Sequence, residues 1–135
     1  MFSTRTTYGL RALAFLAEYY GKRPVSLAEI ANQEGISRRY LEKIFVQLKK
    51  ANLVISAKGA QGGYFLAAHP RYISFYDAIL SLEGDNKVYP FHCWEEVGRV
   101  NCGHNCQCGA HRLMLRAQEA ILATLKKMTL ARLVK

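Results

Sequence analysis

The chain has 135 residues, 50% of them hydrophobic, with 19 basic and 10 acidic side chains and a formal net charge of +9. That composition supplies one compact core with an appended helix, which excludes a disordered chain, and its positive excess favours a polyanionic partner, either nucleic acid or an anionic membrane surface. No apolar run approaches the roughly 20 residues that span a bilayer, and the opening MFSTRTTYGL lacks the parts of a signal peptide, so the expected location is the cytoplasm, with no membrane partner.

Residues Thr4 to Tyr20 read as a helix, because Leu10, Leu13, Leu16, Ala17 and Tyr20 recur at spacings of three and four and Gly21 can supply a left-handed cap. Ser26-Leu-Ala-Glu29 is a capping box, in which hydroxyl and carboxylate each satisfy an orphan amide, and it opens a short helix to Glu34. Gly35-Ile-Ser37 then makes a tight turn, and Ser37 can cap a third helix through Tyr40, Leu41, Ile44, Phe45 and Leu48 to about Ala51.

Two helices joined by a short Gly-containing turn form a helix-turn-helix. Ala31 is small where the helices cross, and Ile30, Ile36, Leu41 and Ile44 supply the contacts between them. The polar face of the last helix carries Ser37, Arg38, Arg39, Tyr40, Glu42, Lys43 and Gln47, residue types that reach phosphates and base edges. Such a face also suits the solvated side of an ordinary helical hairpin. The next stretch of chain decides between them: the β-prone runs Leu53 to Ala57 and Tyr64 to Ala67 flank Lys58-Gly-Ala-Gln-Gly-Gly63, whose three glycines suit positive-φ positions at a hairpin tip. A hairpin directly after a recognition helix is the wing of a winged helix, with Lys58 and Gln61 at its tip. No Gly-Lys-Ser/Thr comes after the glycines, which argues against a phosphate-cradling nucleotide loop.

Pro70 punctuates the chain, and Ser74-Phe-Tyr-Asp77 opens another short helix to about Leu82. His69, in the Ala-His-Pro turn, reads as structural or exposed. All four cysteines, Cys93, Cys102, Cys106 and Cys108, and three of the four histidines, His92, His104 and His111, fall between positions 92 and 111. In a reducing compartment cysteines this close are metal ligands or redox thiols more often than structural disulfides. From Ala110 to Lys127 runs the longest helical pattern, with Leu113, Leu115, Ala117, Ala120, Ile121, Ala123, Leu125 and Met128 on a broad apolar face. A helix this apolar outside a closed winged domain needs a partner, and a second copy in a two-fold dimer is the expected one. Thr129 can cap a final turn, Leu130 to Val134.

The expected fold is therefore mainly α with a small β-hairpin: a winged helix-turn-helix DNA-binding region over 1–82, a cysteine-rich loop over 83–109, and a dimerisation helix with its C-terminal turn over 110–135.

Several of these motifs together resemble the Rrf-two family of bacterial transcription regulators, whose groups include the IscR, NsrR and CymR types. They are Thr7-Tyr8-Gly-Leu-Arg-Ala12, Ser-Leu-Ala-Glu-Ile-Ala-x-x-x-Gly-Ile-Ser, Tyr40-Leu41-Glu42, Gly59-x-x-Gly62-Gly63-Tyr64, the cysteine loop and Thr129-Leu-Ala-x-Leu-Val134. The resemblance covers nearly the whole chain. It implies a dimeric winged-helix repressor that binds double-stranded DNA at a palindromic operator, often sensing through an iron-sulfur cluster. Carried over by position, it implies DNA reading by Ser37, Arg39, Tyr40, Glu42 and Lys43, with wing contacts from Lys58 and Gly59. Arg39 and Lys43 stand where relatives have smaller polar side chains, so the operator need not be the IscR one. The cluster ligands it implies are Cys93, Cys102 and Cys108, with His111 as the fourth. The chain departs from the pattern in a longer gap between Cys93 and Cys102 and in the additional thiol Cys106, an alternative fourth ligand. Where a related group uses an acidic residue from the partner subunit, this chain has about Thr7, a poor ligand.

Three thiolates and an imidazole suit a 2Fe-2S cluster, and the same atoms in a tetrahedron suit zinc. Metal-free redox thiols are the third option. His92 and His104 read as solvated loop residues and Trp94 as a lid over the site. A basic electron carrier or cluster carrier would need no helix-turn-helix and no wing. An enzyme is not expected, since no nucleophile, base and orienter can be assembled outside the cysteine loop.

Overall fold

A computed structural model describes residues 2–59, 62–83 and 108–134. Helix α1 spans Thr4–Glu18, α2 Leu27–Glu34, α3 Arg38–Lys50, α4 Phe75–Glu83 and α5 Gly109–Lys127, with strands β1 Val54–Ala57 and β2 Gly63–Leu66 between α3 and α4. Short 3-10 turns occupy Pro70–Tyr72 and Leu130–Leu133. The fold is mainly helical with one hairpin, as the patterning implies.

Local chemistry explains the helix starts. The hydroxyls of Ser3, Ser26 and Ser37 accept from the backbone N–H three residues on, of Thr6, Glu29 and Tyr40 respectively, and so satisfy donors that a helix leaves open. Ser74 does the same for Asp77 and donates to its carboxylate at 2.7 Å. The box at Ser26 closes on one side only: both Glu29 oxygens are engaged by Arg23, at 2.9 and 2.5 Å, because the guanidinium fork outcompetes a single amide for a carboxylate. Gly35 ends α2 in the left-handed region at φ +64°, which makes the turn before α3. Helix α1 stops at Glu18 rather than Tyr20. Tyr20 lies outside it, 37% exposed, with its ring edge-on to His69 at 5.2 Å. His69 is structural, its Nδ1 accepting from the Arg71 N–H at 3.2 Å.

One core serves the N-terminal helices, the hairpin and the C-terminal turn. Leu13 and Leu16 of α1, Ile30 of α2, Leu41, Ile44, Phe45 and Leu48 of α3, Ala78 and Leu82 of α4 and Leu130 near the C-terminus are all buried within it. At the crossing of α1 and α4, a Cβ on Gly9 would lie 2.5 Å from the Leu82 methyls, so that crossing depends on glycine. The hairpin pairs Val54 with Leu66 through Ala57 with Gly63. Val25 extends it as a third edge by exchanging backbone bonds with Tyr64 at 3.0 and 2.8 Å.

The hairpin-tip glycines act in two ways. Gly59 takes positive φ, at +109°. Gly62 and Gly63 instead serve close approach: added Cβ atoms would lie 2.9 Å from the Gly59 carbonyl oxygen and 2.6 Å from the Val25 carbonyl. The last turn differs as well. Thr129 makes no side-chain cap bond, and its segment is held by strand-like backbone pairing, Leu130 N–H to Ile73 at 2.9 Å and Phe75 N–H to Met128 at 2.9 Å.

Candidate functional site

Helix α3 turns Leu41, Ile44, Phe45 and Leu48 inward, which leaves Ser37, Arg38, Arg39, Glu42 and Lys43 exposed along one side. Arg38 and Glu42 form an exposed i,i+4 pair at 3.8 Å, weak enough to open for a ligand. Arg39 and Lys43 also sit four apart, and like charges at that spacing repel until an anion meets them. Neither pairs with a carboxylate among the described residues. Tyr40 differs from its neighbours in being half-buried, its ring edge-on to Tyr8 at 5.7 Å. It therefore anchors α3 to α1 as well as bordering the exposed face.

The wing is held against that helix from two sides. Phe45 packs on Tyr64 of β2 at 4.7 Å, and Lys49 in the last turn of α3 donates to Ser56 of β1 at 3.1 Å. Lys58 and Gly59 are exposed at the end of β1. Gln61 lies outside the described residues. Helix α3 and the described part of the hairpin thus share one basic edge.

Beside this edge an open groove of about 580 Å³ runs between the start of α1 and α3, lined by Ser3, Thr4, Arg5, Tyr40, Lys43 and Gln47. Sequence patterning identifies Tyr40, Lys43 and Gln47 but gives no reason to bring the first residues of the chain against them, because that contact is made by tertiary packing. Behind the groove, Oε1 of Glu83 accepts from the Ser3 N–H at 2.8 Å, the Ser3 hydroxyl at 3.2 Å and the Thr6 hydroxyl at 2.5 Å. Burial pushes the Glu83 carboxyl pKa up, but the bonds from Thr6 and Ser3 and the nearby Arg5 charge outweigh it, so the group stays below the usual carboxylate range. No sequence motif marks this clamp, since its partners are 77 and 80 residues apart.

Cys108 caps α5. Its Sγ accepts from the His111 N–H at 3.3 Å, and the His111 side chain, one turn on, belongs to a residue only 8% exposed. Thiol and imidazole thereby share the first turn of one helix. An N–H donated to a ligating sulfur is also a contact that tunes iron-sulfur centres, so this pair fits both a cluster and tetrahedral zinc. Cys93, Cys102 and Cys106, with His92, His104 and Trp94, lie outside the described residues. Among the described residues no three His, Cys, Asp or Glu side chains converge on a metal position.

Much of the apolar face of helix α5 is exposed among the described residues. Its buried side chains are His111 and Gln118, whereas Leu113 is 69% exposed, Ala117, Ala120 and Ala123 are exposed, and Leu115, Ile121 and Leu125 are half-buried. The broad apolar face divides into an inner strip, half-buried, and an outer one left exposed among the described residues. No described helix is long and apolar enough to cross a membrane.

A helix-turn-helix with a paired wing and a basic outer edge defines a winged-helix DNA-binding protein. The family model described as "Rrf2: Iron-dependent Transcriptional regulator" matches residues 2–135. The chain is 34% identical over 133 residues to the HTH-type transcriptional regulator IscR of Vibrio atlanticus, covering 98% of this chain and 74% of that protein. The structure of CymR (YrzC), the global cysteine regulator of B. subtilis, superimposes with a TM-score of 0.81 at 32% identity, over 97% of this chain and 93% of that one. The T. potens IscR structure gives 0.75 at 37% identity, over 97% and 83%. The chain belongs to the Rrf2 family of transcriptional regulators, which are DNA-binding proteins and not enzymes.

Proposed function

We propose that this regulator acts as a dimeric repressor in the cytoplasm, binding a palindromic operator and sensing iron-sulfur status, redox state or nitric oxide through a cluster held by Cys93, Cys102, Cys108 and His111. The observation that carries the sensing part is the pair at the start of α5, where Cys108 Sγ accepts from the His111 N–H in the first turn. A bound 2Fe-2S cluster would supply a redox-active and nitric-oxide-reactive centre there. The chain's own residues do the rest. Cys108 and His111 tie the cysteine segment to α5, and the exposed strip through Leu113, Ala117 and Ala120 meets its copy across a two-fold axis. The axis in turn sets the separation of two recognition helices, which must match half-sites about 34 Å apart. Ser37, Arg38, Arg39, Tyr40, Glu42 and Lys43 would contact the major groove, and Lys58 and Gly59 the backbone or minor groove beside it. The segments 1–82, 83–109 and 110–135 then correspond to DNA binding, sensing and dimerisation.

A metal-free thiol switch is the second reading. It is favoured by the likeness to CymR, one of whose S. aureus structures is of an oxidized form, at a TM-score of 0.76 and 31% identity. Zinc in the same ligand set is the third. Purification without oxygen, with iron, sulfide and zinc counted per chain, separates them. The cluster reading expects equimolar iron and sulfide, lost or spectrally altered in Cys108→Ser. His111→Ala and Cys106→Ser, made separately, identify the fourth ligand. Stoichiometric zinc without sulfide, or no metal at all, would overturn it.

A further inference from the structure

We infer that Arg5, at the start of α1, is a phosphate-contacting residue, so that the DNA interface extends from α3 across the groove to the N-terminus of the chain. The inference rests on α3 facing DNA and adds a second helix to that contact. Lys43 and Tyr40 on one wall are members of the recognition face, and the other wall is Ser3, Thr4 and Arg5. A groove this open, with a cation on each wall, suits a strand of sugar-phosphate backbone passing alongside the major groove that α3 enters.

The charges near the groove leave Arg5 available. Glu83 is the carboxylate that acts on Arg5, yet its Oε1 is occupied by three donors from Ser3 and Thr6, and Arg5 forms no ion pair within 4 Å among the described residues. The same clamp fixes the first turn of α1, so the Arg5 side chain starts from a held backbone. Arg5 is half-buried on a groove wall, near enough to Glu83 for its charge to act there but held by no ion pair within 4 Å among the described residues.

The test is the salt dependence of binding to two duplexes of equal length, one selected from a random-sequence pool by the wild-type protein and one scrambled. Each neutralised phosphate adds about 0.9 to the slope of log affinity against log salt, so over a fourfold rise in salt Arg5→Gln should lose about 3.5-fold less affinity per bound subunit than the wild type. Both duplexes should weaken alike, because phosphates carry no base identity, and Arg5→Lys should restore the slope. Lys22→Gln makes the same charge change beyond the far end of α1, about 20 Å away along a 15-residue helix, and should leave the slope unchanged. Circular dichroism and melting temperature of each variant establish that it is folded. An Arg5→Gln slope equal to wild type, or an equal drop in Lys22→Gln, would overturn the assignment. Lys43→Gln tells a misplaced Arg5 from a misplaced α3. If it lowers the slope and Arg5→Gln does not, Arg5 alone is misassigned; if neither does, α3 does not face DNA.

Discussion

Helices α3 and α5 are both long, both basic at their ends and both placed beside a functional segment, yet they relate to the core in opposite ways. Helix α3 buries four large apolar side chains and shows its polar residues outward. Helix α5 buries a histidine and a glutamine and leaves Leu113 and three alanines in the open. The position of α3 is therefore set by the chain's own core, whereas α5 is incomplete without something beyond the described chain. The proposed cysteine segment and second copy are the partners that would complete it.

A pair of truncations puts that contrast at greatest risk. Phe45→Ala should cost about 3–5 kcal/mol in chemical denaturation, as removal of a fully buried aromatic ring does, whereas Leu113→Ala should fall within about 0.5 kcal/mol for the isolated subunit, as exposed substitutions do. The contrast fails if the two cost the same. Leu113→Lys should shift sedimentation from dimer towards monomer without unfolding the chain, and an unchanged dimer would place the interface elsewhere. Next in size, Gly63→Ala should cost about 2 kcal/mol, because the added methyl meets the Val25 carbonyl and not a yielding side chain. Its wing should lose protection in hydrogen exchange before α3 does.

A smaller effect should appear in pH. The folded pKa of Glu83 is depressed, so its contribution is present above the ordinary carboxylate range and is lost as pH falls through its folded value. The melting temperature should therefore decline on acidification, and Glu83→Gln should decline less over the same window while being the less stable protein near neutrality. Parallel curves would mean that the clamp does not contribute.

How far these features can be read from sequence divides along the same line. The caps at Ser26, Ser37 and Ser74 and the buried stripe of α3 are local, each set by residues three or four apart, and they fall where the spacing implies. The edge strand at Val25, the Glu83 clamp and the groove beside Arg5 join residues far apart in the chain, and no short pattern encodes such contacts. At the hairpin tip local pattern is insufficient for a related reason: Gly62 and Gly63 answer to neighbouring backbone, not to their own φ. Of the expected ligands, Cys108 and His111 fall together on one helical turn, which their spacing foreshadows. Cys93, Cys102 and Cys106 lie outside the described residues, so only the Cys108 and His111 part of the proposed ligand set has a described geometry.

The central claim, that the cysteine segment governs DNA binding through α5, is tested most directly by titrating one operator duplex with the same preparation before and after anaerobic removal of the proposed cluster, at several salt concentrations. Coupled sites of this kind shift affinity by about 5–150-fold, and a shift in that range, abolished in Cys108→Ser, is the predicted result. Equal affinity and equal salt slope for the loaded and stripped protein would contradict the account.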